Sequence, residues 1–152
     1  MIACLLALSL SAPAPAADTV SPKYQTPGNY FEKNTAGLKG DVSFLLFKDR
    51  AAFDAVLAKR PPLMGEKRDT STIDFAKQTV AAVIHRGAMT WSYKVESVTV
   101  KGTTATVVYS ATPGPRGTAN FASPLVVVVD QAGITKVVFQ ENGKDAGSAE
   151  AK

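Results

Sequence analysis

The chain has 152 residues, 45% of them hydrophobic and 20% charged, with 17 Lys and Arg against 13 Asp and Glu for a net charge of +4. These values fit one globular domain large enough to bury a core without disulfide or metal staples. The cations are scattered among acids, as in "GEKRD" and "EKNTAGLKGD", and lack the clustered Lys/Arg with interleaved aromatics of a nucleic-acid face.

Residues 1–16, "MIACLLALSLSAPAPA", carry no charge. The apolar run is too short to span a bilayer and ends in small residues suited to cleavage after Ala16, the layout of a secretory signal peptide. The apolar run follows Cys4 instead of preceding it, which argues against lipid anchoring through that thiol. Cleavage would leave a chain without cysteine, exported to the periplasm or beyond and folding without disulfides. No later stretch approaches the roughly 20 apolar residues of a membrane-spanning helix, so no stable membrane insertion is expected after cleavage.

Residues 17–41 are rich in Pro, Gly, Asn and Thr and lack a period, which predicts a linker or loosely packed arm, with Tyr30 and Phe31 able to tuck against the core. A single domain over residues 42–142 follows. "VSFLLF" (42–47) reads as a buried strand. Asp49 can cap a helix of about three turns whose Phe53, Val56 and Leu57 share one face, with Lys59 and Arg60 at its negative end and Pro61-Pro62 stopping it. Residues 63–72 are a polar connection. "TVAAVIH" (79–85) is apolar on both faces, as a central strand would be. "WSYKV" (91–95) puts Trp91, Tyr93 and Val95 on one face, while Val98 and Val100 have the opposite parity; that slip near Glu96-Ser97 predicts a β-bulge. "TATVVYSA" (104–111) alternates cleanly, and "LVVVV" (125–129) and "ITKVVFQ" (134–140) complete the set. Lys101-Gly102 and "DQAG" (130–133) have hairpin-turn chemistry. The tail 143–152 reads as disordered. The pattern predicts an α+β fold, a mostly antiparallel β-sheet or sandwich of about six strands with one N-terminal helix.

Most catalytic templates are missing. There is no G-x-S-x-G elbow, no H-E-x-x-H, no Gly-rich phosphate loop opening a helix and, after cleavage, no thiol, so neither a metal nor a cofactor is expected. His85 is the one histidine. It could act as a base or ligand beside Ser92 or Ser110; a base needs a positioned partner, and a half-buried, hydrogen-bonded strand-end histidine is the favoured reading. If the strands 79–86, 91–100 and 103–111 are successive antiparallel neighbours, the loops 87–90 and 112–123 leave the same end of the sheet. Arg86, Met89, Trp91, Arg116, Asn120 and Phe121 would gather there as a protein- or peptide-binding edge, apolar anchors with cations on the rim.

The order of "FLLFKDRAAFDAVLA", "IDFAKQTVAAVI", an aromatic-containing hairpin, "VTVKGTTATVVYSATPGPRG" and "ANFASPLVVVVD" resembles the C-terminal domain of PrcB, a lipoprotein subunit of a bacterial surface protease complex, over about residues 43–140. Thr90 and Tyr93 match a Thr-Gly-Gly-Tyr turn of that family, with Trp91-Ser92 in place of the glycine pair. Ser123-Pro124 matches its later small-Pro step, with Leu125 where an aromatic is usual. The resemblance implies an accessory or binding module without catalytic residues or cofactor. The expected function is therefore a non-enzymatic protein-binding module of the cell envelope. A protease inhibitor inserting the two loops into a cleft, and a hydrolase using His85, are the alternatives.

Overall fold

The computed structural model describes residues 17–62, 64–65 and 71–151. The expected signal peptide, Cys4 and most of the 63–72 connection lie outside the described residues. The fold is β-rich α+β, a curled and mostly antiparallel sheet with one helix.

The elements in chain order are β1 (Thr19–Val20), β2 (Tyr24–Gln25), β3 (Tyr30–Glu32), β4 (Val42–Phe47), α1 (Arg50–Val56), β5 (Leu57–Lys59), β6 (Thr79–Lys101), β7 (Thr104–Val129), β8 (Lys136–Glu141) and β9 (Lys144–Glu150). Two long strands organise everything else. β6 and β7 form one hairpin around Gly102-Thr103, paired from Lys101↔Thr104 to Thr79↔Val129. The ladder shifts register between Val95 and Ser97, where the parity slip predicts a bulge, and again on both sides of Met89.

This corrects the expected topology. Segments 79–86 and 91–100 are not antiparallel neighbours joined by a loop at 87–90; they are two halves of β6. Likewise 112–123 is not a free loop but part of β7. The physical reason is burial. The run 79–85 is apolar on both faces and pairs with 123–129, whose buried stretch is equally two-sided, so the doubly covered strands lie side by side. The half-solvated, alternating segments 91–101 and 104–113 pair with each other.

The hairpin bends at its middle, and each half gathers its own neighbours. Beside the 79–86/122–129 half, β4 pairs with β6 and β2 with β7. Beside the other half, β1 pairs with β6, β8 runs parallel to β7, and β9 pairs with β8. The 130–133 stretch is thus no hairpin turn; it carries the chain from one half-sheet to the other. Ala81, Val83, Leu125 and Val127 from one half pack with Val98, Val107, Tyr109, Val137 and Phe139 from the other, forming the interior. The opposite face of the first half, Val80, Ala82, Ile84, Val126 and Val128, is covered by Phe47, Phe53, Leu57 and Ile73. The far edges come close where the Phe44 ring lies over Gly147: a Cβ there would stand 2.4 Å from the ring, so β9 requires glycine at that point.

Asp49 caps α1 as expected, accepting from the Ala52 N–H at 2.8 Å. The helix ends at Val56, short of Pro61, because Leu57–Lys59 leaves to pair with β3. Nor is 17–41 a loose arm: β1, β2 and β3 all join ladders, and the Asp41 carbonyl accepts from the Arg86 N–H at 2.7 Å. The tail is not disordered either. Asn142 and Gly143, with φ of 49° and 78°, make the left-handed turn that folds β9 back on β8. Among the described residues no helix is long and apolar enough to cross a membrane.

Candidate functional site

The bend of the β6/β7 hairpin produces two concave surfaces. Its sequence is made for irregularity. Gly87 sits at φ +135°, a conformation costly for side-chain-bearing residues, and Gly117 to Asn120 stand opposite Ala88 alone. Gly87 pairs with Phe121, Met89 with Arg116 and Trp91 with Pro113. The segments expected to share one end of the sheet do meet, through direct strand pairing and not as two loops.

Of the six residues expected to form one edge, three line one of these surfaces and the other three line neither. Arg86, Asn120 and Phe121 line a groove of about 570 Å³ together with Phe31, Glu32 and Asp41. Phe31 and Phe121 remain 42% and 40% exposed. Met89 and Arg116 are exposed beside each other in the ladder. Arg86 is not a free rim cation. Its guanidinium donates from Nε to Glu32 Oε2 at 2.7 Å and from Nη2 to Oε1 at 2.9 Å, and its Nη1 donates to the Gly40 carbonyl and Ser43 Oγ. This bidentate pair is mostly buried and joins β3, the arm and β4 under the groove. Trp91 is not an exposed anchor: it is half-buried and stacked on the His85 ring at 4.4 Å.

His85, at the end of the two-sided apolar run, is buried at 5% exposure. The hydroxyl beside it belongs to Tyr93, not to Ser92 or Ser110: His85 Nδ1 lies 3.0 Å from Tyr93 Oη, while Ser110 Oγ donates to the Lys94 carbonyl. Tyr93 Oη donates to the Ser123 carbonyl at 2.6 Å. On the other side, His85 Nε2 is 3.2 Å from Glu141 Oε2, and Tyr109 Oη donates to that same oxygen at 2.7 Å. His85 and Glu141 line a second, open cleft of about 480 Å³ with Val42, Phe44, Asn142 and Lys144. Burial pushes the His85 imidazole below its ordinary range, and the adjacent Glu141 carboxylate opposes that shift. Burial also drives both tyrosines well above their ordinary range, so they stay protonated.

In this arrangement His85 connects strands, through Tyr93 at Nδ1 and Glu141 at Nε2. Among the described residues no group of three or more His, Cys, Asp or Glu could hold a metal ion. Sequence reading passed over Glu141, Glu32 and Tyr109 as site residues. The Asn142-Gly143 turn was the available signal for Glu141, since such a dipeptide places its preceding residue at a strand end. Glu32 carried no signal, because its partner is 54 positions away.

Compared with known proteins, the chain is matched by no family model, no curated protein and no solved structure.

Proposed function

We propose that this protein is an exported, non-enzymatic accessory module of the bacterial cell envelope, periplasmic or extracellular, that binds a protein partner through the groove between Phe31 and Phe121. The observation that carries the reading is the exposure of two phenylalanines on the walls of one groove whose floor is an already neutralised Arg86–Glu32 pair. The Arg86 and Glu32 charges in it neutralise each other, and Asp41 adds one acidic group at the lining. The groove suits an apolar side chain presented by a protein segment, with Met89 and Arg116 next to it as further contacts. The uncharged, small-residue-ended N-terminal segment supports export, and the resemblance to the PrcB C-terminal domain supports an accessory role, with a protease complex as the place to look for the partner.

The test is capture from envelope extract with crosslinking, comparing wild type with Phe31→Ala/Phe121→Ala. Each ring is more than half covered, so each substitution should cost on the order of 1 kcal/mol or more. The expected result is a variant that still melts cooperatively, at a somewhat lower temperature, and no longer retains the proteins captured by wild type. Retention of the same proteins would rule the groove out as the interface.

A further inference from the structure

The hydrogen-bond chain through His85 has four contacts: Ser123 carbonyl to Tyr93 Oη, Tyr93 Oη to His85 Nδ1, His85 Nε2 to Glu141 Oε2, and Glu141 Oε2 to Tyr109 Oη. Each needs one proton between its two heavy atoms. A carbonyl only accepts, so the Tyr93 proton goes to Ser123 and His85 must donate from Nδ1. The Tyr109 proton goes to Glu141. A neutral imidazole and an ionised carboxylate therefore supply three protons for four contacts, leaving a lone pair on Nε2 facing an anionic oxygen. The fourth proton comes from solution, and it occupies the longest of the four contacts, 3.2 Å.

That contact joins the two half-sheets. His85 and Ser123 belong to the half that carries β4; Tyr93, Tyr109 and Glu141 belong to the half that carries β8 and β9. We propose that His85 and Glu141 form a one-proton latch that tightens on mild acidification and holds the β8–β9 turn against the β4 side of the cleft.

The groups facing the latch are few. β6 contributes Tyr93, β7 contributes Tyr109, β8 contributes Glu141, and Lys144 and Asp145 of β9 line the cleft, whereas β4 contributes only apolar Val42 and Phe44. The tyrosines hold their protons, so the proton that completes the chain goes to the His85–Glu141 contact. His85 is the fixed partner, stacked between Trp91 at 4.4 Å and Tyr93 at 5.7 Å. Glu141, at a strand end with its side chain 22% exposed, is the one that can leave. When it leaves, the imidazole remains buried and loses the adjacent carboxylate that favours its charged form. Proton affinity is therefore higher in the latched arrangement than in the released one, and by linkage added protons favour the latch.

The single histidine allows its ring signals to be followed by NMR without assignment. In wild type the neutral ring should be the Nδ1–H tautomer. Glu141→Gln should lower the His85 midpoint by about one pH unit. Amide exchange at residues 141–145, corrected for intrinsic rates, should slow as wild type is taken down through that midpoint, and should not do so in Glu141→Gln. A midpoint that Glu141→Gln leaves in place or raises would overturn the latch. So would wild-type exchange in the turn that ignores the midpoint, and that measurement needs no substitution.

Discussion

The groove and the cleft arise from the same bend and differ in what their side chains have left to offer. In the cleft, His85, Tyr93, Tyr109, Glu141 and Ser123 satisfy one another, and the aromatic rings stack into the interior. In the groove Arg86 is committed to Glu32, Gly40 and Ser43, but two phenylalanines leave about two fifths of their surface open to solvent. A polar cluster whose members are paired rigidifies a fold and leaves little for a ligand. Uncovered aromatic surface gains free energy when another molecule covers it. The difference is why the proposed partner contact is placed at the groove and the cleft is read as cohesive.

The largest expected effect comes from breaking the groove's floor. Glu32→Ala would leave the mostly buried Arg86 guanidinium without its counter-charge and should cost about 3 kcal/mol in urea unfolding, more than removing either of the groove's aromatics. A much smaller loss would mean that Gly40 and Ser43 alone satisfy Arg86. Next is the cleft. Tyr93→Phe deprives the Ser123 carbonyl and His85 Nδ1 of their shared partner at unchanged ring packing, with an expected loss of about 1–2 kcal/mol. No loss would show that solvent from the cleft replaces the hydroxyl.

A subtler effect is pH dependence. The folded-state pKa of His85 lies below its ordinary value of 6.5, so between the two values the unfolded chain binds more protons than the folded one. The stability that comes from burying a neutral imidazole is present in full above 6.5 and is lost as pH falls through the folded value. The slope is at most about 1.4 kcal/mol per pH unit, and His85→Phe should flatten it. Global stability and the latch thus respond to acid with opposite signs, since one compares folded with unfolded chain and the other compares two folded arrangements. Phe31→Ala/Phe121→Ala should act chiefly on partner capture, with a stability cost of about 1 kcal/mol per ring.

Much of the local structure was legible. The Asp49 cap, a strand at 42–47, the alternation at 104–111 and the bulge near Glu96 follow from side-chain chemistry and period, and each appears in the fold, although in 42–47 only Phe47 is fully buried. The misreadings of 87–90 and 112–123 as loops share one cause. Glycine and proline at 87 and 112–117 mark a departure from regular strand, and both a reversal and a bend satisfy that local signal. The choice between them depended on which apolar faces would be covered. Asn142-Gly143 was the opposite case: a strong local turn signal before a small, polar segment, "KDAGSAE", whose strand character comes from the partner it pairs with and from the Phe44 ring over Gly147.

By itself, the sequence determined the β-rich class, the single short helix and the set of apolar residues that must be inside, because propensity, capping and periodicity act over a few neighbouring positions. Only the tertiary structure decided that β6 and β7 run on through their bend, that Glu141 meets His85 and that Glu32 meets Arg86. Those contacts join residues more than 50 positions apart, and their geometry is set by how two half-sheets fold over one core.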